Sequence, residues 1–343
     1  MTILRLIFRG LLYHRRMHAT VGAGVAVAVA AIVGALVLGD CVRGTLRRTL
    51  LDRLGGVQAV VEAGPRFFRA DLADEVAAST GAPAAAAIEL TGAAVNGLVR
   101  ANRVRVYGVD ERAWQLLDYP GSPPQADAVV INQALANKLG ARAGQEIQLL
   151  LPHPSAVGGE TPLPGQGPET LRPRVTVAAV APGADFSLRA QQGRPLTVFV
   201  SRVWLTERLD LARRANLLLT ASTNARAADR ALRASLQGAD LQLTLRPVPG
   251  TGDVEVRSDA VFLPPPVEQA LDAGDLKGHG AMAYFLNRLV AGDRTSPYAV
   301  AAGLPPGTGP VPADLKDDEF VPNAWLVEDL ALTVGQAVSF EYF

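Results

Sequence analysis

The chain has 343 residues, 49% of them hydrophobic and 19% charged, and its 33 basic and 33 acidic side chains cancel to no formal net charge. That balance leaves no electrostatic footprint for a nucleic acid, and the single cysteine, Cys41, excludes an intrachain disulfide framework and any zinc site built on several thiolates. Folding therefore rests on packing, with 24 prolines and 33 glycines marking turns and long loops.

Residues 1–18 are basic, with Ile3, Leu4, Ile7, Phe8, Leu11 and Leu12 on one helical stripe and Arg5, Arg9, Arg15 and Arg16 around it. This is the pattern of an interfacial helix on anionic lipid of the cytoplasmic leaflet. Residues 19–39, ATVGAGVAVAVAAIVGALVLG, carry no charge and only Thr20 is polar. As a helix they span roughly 32 Å, enough to cross a hydrocarbon core of about 30 Å. The Val, Ile and Leu residues among them contribute on the order of −3 to −5 kcal/mol of insertion free energy. Gly24/Ala28 and Ala30/Gly34 are small-xxx-small pairs that let a second helix approach.

A cleavable signal peptide is the main rival, but this apolar run exceeds the usual 7–15 residue signal core. A lipoprotein signal ending at Cys41 is disfavoured by Asp40, where a small residue belongs. The segment therefore reads as an uncleaved anchor. Arg43, Arg47, Arg48 and Arg53 match the basic count of the other flank, so charge alone leaves orientation open. These arginines read as keeping the following helix soluble and reaching lipid headgroups. Val42, Leu46, Leu50 and Leu54 recur every four residues, predicting that the helix continues outward as a stalk until Gly55-Gly56 stops it.

Further along, residues 57–63 read as a strand, 70–79 as a helix, and 84–90 and 103–109 as strands, which together predict an α+β or α/β domain. Residues 128–131 form a strand, Asn132 an N-cap, 133–139 a short helix, Gly140 and Gly144 stop and turn signals, and 146–151 a second strand. This unit occurs twice. Shifted by 191 positions, Asn132, Leu135, Leu139, Gly144, Gln145, Ile147 and Leu149 fall on Asn323, Leu326, Leu330, Gly335, Gln336, Val338 and Phe340. Both copies are expected to be strand, helix, strand.

Residues 152–173 read as a long Pro/Gly loop, 174–180 and 196–200 as strands, 203–209 as a short helix, 216–220 as a strand, 225–236 as an amphipathic helix and 241–246 as a strand. Residues 251–262 begin a second strand-rich region, 267–273 a helix and 282–290 a strand or short helix. Residues 292–314 read as loop and 337–343 as a final strand, whose outer edge lacks the neighbour that 174–180 provides in the first copy.

Together, VLGDCVRGTL at the outer end of the apolar helix, VVINQALANKLGARAGQEIQL, RVTVAAVAPG, LTVFVSRVWLTERL and ANLLLTAS resemble the MacB/FtsX-type permease subunits of ABC transporters. The resemblance covers nearly the whole chain and rests on the order of weak motifs. Gln145 and Gln336 stand where the family more often has Asp. The family has four transmembrane helices, three of them after the periplasmic domain, whereas nothing here after Gly39 approaches a membrane span, so the chain reads as the front part of a permease.

Residue chemistry offers little else. No GxxxxGK[ST] phosphate loop occurs, since GDLKGHG at 274–280 lacks both spacing and hydroxyl. His14 and His18 lie at the membrane edge, His153 lies in the long loop, and His279 beside Lys277 reads as surface. Asp317, Asp318 and Glu319 read as a solvated turn rather than a cation site. No catalytic, cofactor-binding or metal residue is assigned, and no cofactor.

The sequence thus predicts an α+β protein: an interfacial helix (1–18), a transmembrane helix (19–39), a stalk (40–56), a MacB-like periplasmic core (57–246), and a second, incomplete α+β region (247–343) carrying the repeat. The resemblance implies a non-enzymatic permease in the inner membrane, N-terminus in the cytoplasm and bulk in the periplasm. A separate ABC ATPase, membrane lipid and a second permease in a homo- or heterodimer are the implied partners, and a lipoprotein, lipid, peptide or drug the implied substrate. The alternative from another class is a single-pass anchored binding or scaffold protein.

Overall fold

The computed structural model describes residues 3–154, 170–189, 193–249, 252–258, 263, 265–274 and 278–342. Most of the expected 152–173 loop, parts of 251–262, Lys277 and Phe343 lie outside the described residues. Helix α1 (Ile3–Tyr13) is followed after His14 by α2 (Arg15–Leu54), 40 residues that run without interruption through the apolar segment and the expected stalk. At 1.5 Å per residue α2 is about 60 Å long, twice what a bilayer core needs. It is the described helix long and apolar enough to cross a membrane, and the break that separates it from α1 falls at His14 rather than after His18.

The described residues then form two compact units, one ending at residue 258 and the other starting at 263. In the first, β1 (Ala59–Glu62), β2 (Phe68–Arg69), α3 (Leu72–Thr80), β3 (Ala84–Asn96), β4 (Val99–Val109), α4 (Glu111–Leu116), β5 (Ala128–Asn132), α5 (Gln133–Leu139) and β6 (Glu146–Pro152) come first. They are followed by β7 (Thr170–Leu171), β8 (Arg174–Ala181), β9 (Thr197–Ser201), α6 (Arg202–Arg208), β10 (Arg214–Ala215), β11 (Leu217–Thr220), α7 (Ala225–Ser235), β12 (Leu243–Pro247) and β13 (Val254–Ser258). The main sheet has the order β1-β11-β3-β4-β9-β5-β8-β6-β7, and β3 also pairs with β6. Strands β3, β4, β9, β5, β8 and β6 therefore close on themselves. Pairings β4–β9 and β5–β8 are parallel and the other pairings of this sheet antiparallel.

Closure depends on one residue with no side chain. At the bulge between Gly92 and Ala93, β3 comes so close to β6 that a Cβ on Gly92 would lie 2.4 Å from the Leu150 carbonyl oxygen. Alternation does the rest: Ile147, Leu149 and Leu151 of β6 and Val175 and Val177 of β8 point into one core with Val104, Val106, Val129, Ile131, Val198 and Val200. Helices α5 and α6 contribute Leu135, Leu139, Trp204 and Leu205 to it. The strands expected at 84–90 and 103–109 are longer than their apolar residues suggest and meet in a hairpin, because pairing with each other and with β6 carries the weak stretch between them.

In the second unit, α8 (Pro265–Ala273), β14 (Met282–Ala291), β15 (Arg294–Gly303), α9 (Ala324–Leu330) and β16 (Ser339–Glu341) form a sheet of order β15-β14-β16 with its own small core of Leu286, Leu289, Ala291, Leu326 and Leu330. Residues 282–290, read as strand or short helix, are strand, and two other expectations are corrected here. Residues 292–314 are not all loop, because β15 pairs with β14 from Ala291↔Arg294 to Met282↔Gly303; its run RTSPYAVAAG, with Pro297, three alanines and a glycine, owes its extension to that partner rather than to propensity. Finally, hairpin β12–β13 runs across the expected boundary at 246/247 and belongs to the first unit.

The repeat is real from cap to turn. Asn132 and Asn323 each accept a hydrogen bond from the N–H three residues on, Leu135 at 3.0 Å and Leu326 at 2.8 Å. The residues that end the two helices bend alike, Gly140 at φ 63° and Ala331 at φ 48°, and the turn glycines 144 and 335 stand at φ 84° and 83°. Gln145 and Gln336 are more than solvent-facing turn residues, since each side-chain oxygen accepts from the backbone N–H three residues back, Arg142 at 2.9 Å and Thr333 at 3.1 Å. The expected strand before Asn323 is absent from the second copy. Strand β5 is held by β8 on one side and β9 on the other, and residues 319–322 have neither neighbour.

Candidate functional site

The chemistry of this chain is concentrated where the long helix enters the first unit. Helix α2 ends at Leu54, and Gly55 takes φ 58°, ψ −126°, a conformation open to glycine alone. A Cβ there would lie 2.3 Å from the Leu117 carbonyl oxygen. Gly56 donates its N–H to the Leu116 oxygen at 2.9 Å, Val57 is buried and donates to Leu54 at 3.1 Å, and Gln58 donates to Thr220 at 2.9 Å. The chain thus passes from helix to sheet in a few residues, of which Gly56, Val57 and Gln58 are each held by a main-chain hydrogen bond.

Below this junction lies an aromatic core. Trp114, Tyr119, Phe199, Tyr107 and Phe186 stack edge to face or offset at centroid distances from 4.9 to 5.7 Å, with Leu54, Val57, Leu116 and Leu117 packed on them. Burial, with Glu89 beside it, holds the Tyr107 phenol in its protonated form well above the ordinary range; burial also raises the Glu89 carboxyl, against the pull of Arg105 at 2.9 Å. Arg53 does not behave as the other stalk arginines. It is buried and donates to the Gly193 oxygen at 3.1 Å, which corrects the reading of it as a lipid-facing charge, whereas Arg43, Arg47 and Arg48 are exposed.

Two polar clamps fix the first unit. Asn132 is fully buried and uses its whole amide: the oxygen accepts from Leu135 and Thr197, and the nitrogen donates to Asp185 and to the Pro195 carbonyl, both at 2.7 Å. It joins β5, α5 and β9, far more than the cap that its sequence position announces. The second clamp is Arg69, whose guanidinium donates to Asp240, Glu75 and the Ser235 carbonyl. The Asp240 side chain is fully buried and also accepts from the N–H groups of Arg69 and Gln237.

Burial alone would raise the Asp240 carboxyl, but its bonds from Arg69 and Gln237 outweigh this and hold it below the ordinary 3.8. Being lowered in the fold, its contribution is in force above that value and drains away as pH falls through the folded one. Asp240→Asn is therefore expected to destabilise the first unit by about 2–3 kcal/mol at neutral pH, because Arg69 keeps Glu75. The gap to the wild type should narrow below about pH 4. Urea melts at pH 7 and pH 3.5 check this, and a gap that ignores pH refutes it.

Beyond the cap at Asn132 and the Arg69–Glu75 pair, neither clamp has a sequence signature, because the bonds that join distant segments run from 53 to 171 positions apart. The junction has a weak one in the Gly-Gly pair at the end of an apolar stripe. The histidines do not converge: His14 lies at the break between α1 and α2, His18 on α2, His153 after β6, and His279 is exposed. Lys316 donates its N–H to Glu319, so the acidic run is part of a turn. Among the described residues no group of three His, Cys, Asp or Glu side chains is placed to hold a metal.

The fold and this junction define an α/β domain joined through a short hydrogen-bonded turn to one long apolar helix that fits a membrane anchor. Residues 21–239 match the family of MacB-like periplasmic core domains, and the chain belongs to that family, which ABC transporter permeases carry. Among solved structures it is similar to the periplasmic region of MacB from Actinobacillus actinomycetemcomitans, with 9% identity over 64% of this chain and 95% of that one and a TM-score of 0.35. It is also similar to the extracellular domain of the noncanonic ABC-type transporter YknZ from Gram-positive bacteria, with 11% identity over 58% and 100% and a TM-score of 0.34. No curated protein matches it in sequence.

Proposed function

We propose that this chain is a permease subunit of an ABC transporter, in which ATP hydrolysis by a separate ATPase is converted into movement of the domain outside the membrane. The family match over residues 21–239 carries the reading, and the continuity of α2 into the sheet supports its mechanical form. A helix about 60 Å long with half its length beyond the bilayer acts as a lever. The tied junction at 55–58 passes its motion to the sheet without a flexible link. The subunit sits in the inner membrane with α1 on the cytoplasmic leaflet, where Arg5 and Arg9 meet anionic lipid, and with the α/β units in the periplasm. A second permease packs along one of two exposed small-residue faces, Gly24/Ala28 or Ala30/Gly34. The exported or released substrate is a lipoprotein, lipid, peptide or drug, and this subunit does no bond chemistry of its own.

Deleting residues 46–49 tests the lever. Four residues shorten the helix by about 6 Å and rotate its remaining turns and the attached sheet by about 40°. In the assembled transporter, ATP turnover should persist while transport falls at least about tenfold, the size of a coupling free energy of 1.4 kcal/mol. Unchanged transport with the first unit still folded by tryptophan emission would overturn the lever.

A further inference from the structure

The duplication extends upstream of the strand-helix-strand unit. Hairpin β14–β15 repeats hairpin β3–β4: the turn glycines are Gly97 at φ 57° and Gly292 at φ 59°, enclosed by Asn96↔Val99 and Ala291↔Arg294. Each second strand carries a non-glycine residue at positive φ six positions after that glycine, Arg103 at 57° and Tyr298 at 59°. The third strand then lands on the same rung. Strand β6 meets β3 at Ala94↔Leu149 and β16 meets β14 at Leu289↔Phe340, each first residue standing three before its turn glycine. Hairpin, helix and returning strand thus recur in the same topology.

In the first copy β6 has another neighbour. It pairs with β8 through Glu146↔Thr176, Ile147↔Val175 and Gln148↔Arg174. Flanking bonds run from Gly144 N–H to the Val177 oxygen at 2.7 Å, from Val177 N–H to the Gln145 oxygen at 2.8 Å, and from Leu149 N–H to the Pro173 oxygen at 2.9 Å. The counterparts are Gly335 and Gln336, which precede β16, and Phe340 within it, and no strand pairs with the outer edge of β16 among the described residues. Side chains tell the same story. Leu149 and Leu151 are 0% and 1% exposed, whereas Phe340 and Tyr342 are 38% and 66%.

We propose that the outer edge of β16 is an acceptor for one extended polypeptide segment, bound antiparallel with β-branched residues at alternate positions, as β8 binds β6. The occupant is a longer segment than a second β16, which runs three residues where β8 runs eight and reaches Gly144 as well as Leu149. Main-chain bonds supply the affinity, and Val338 with Phe340 selects the apolar alternation. The proposal stands apart from the transport reading, since it needs neither the lever nor an ATPase.

The test uses the full chain in detergent micelles and a synthetic peptide of sequence PRVTVAAVA, residues 173–181. Amide exchange at Gly335 and Phe340 should slow about tenfold or more on adding the peptide, while Gly144 and Leu149 remain unchanged. Methylating the peptide nitrogen at the Val177 position removes the donor aimed at Gln336 and should weaken binding at least about tenfold. No protection at millimolar peptide, equal binding of the methylated or a scrambled peptide, or an edge already protected by self-association in sedimentation would overturn it.

Discussion

Gly55→Ala is expected to cost the first unit about 3 kcal/mol or more, from a positive-φ backbone that only glycine adopts cheaply and from a Cβ driven into a carbonyl. The obstruction is main chain: Leu117 O, C and Cα would lie 2.3, 2.7 and 3.2 Å from the new atom. No rotamer change relieves it. Either α2 lifts off the Leu116–Leu117 segment, breaking the Gly56 bond to Leu116, or that segment moves and disturbs the aromatic core around Trp114. Gly64 provides the control, with φ 63° and no atom within 4 Å of the position a methyl group would take, so Gly64→Ala should cost only the conformational term of about 1 kcal/mol. Urea melts read by emission of the buried Trp114 and Trp204 separate the two, and equal losses would show that contact with Leu117 is not what fixes the junction.

The second large effect is expected at Asn132. Alanine there removes the cap of α5 and leaves the Thr197 N–H, the Pro195 oxygen and Asp185 without their partner in a buried place. One buried group left unsatisfied costs about 1–3 kcal/mol and a lost cap about 1, so a total near 3 kcal/mol is expected. The repeat provides its own control. Asn323 is exposed and makes the cap bond alone, so Asn323→Ala should cost the second unit about 1 kcal/mol. Amide exchange in α5 and α9, measured in both variants, reads the two units separately. Equal costs would mean that the network around Asn132 adds nothing to the cap.

That pair marks the division between what was legible and what was not. The cap, the helix and the turn glycine of both copies, with the αL stop at Gly140, follow from residues three to five apart, because helix and turn hydrogen bonds close within that distance. The same holds for α2, whose apolar run and four-residue stripe identify both the span and its outward extension. The family resemblance was also open to reading, since it consists of these local units in order.

Strands depend on partners that the local sequence does not name. Residues 294–303 look like loop and are β15 because β14 lies beside them, while 319–322, the counterpart of β5, stay unpaired because no β8 or β9 flanks them. The closing of β3 onto β6 through Gly92, the seating of Leu117 against Gly55 and the burial of Arg53, Asn132 and Asp240 each join segments tens to hundreds of residues apart. The sequence by itself determined the span, the stalk and the repeated cap and turn, whose hydrogen bonds are local. Only the tertiary structure decided which extended segments became strands and which polar side chains became clamps, because a sheet bond or a buried ion pair exists only when a distant partner arrives.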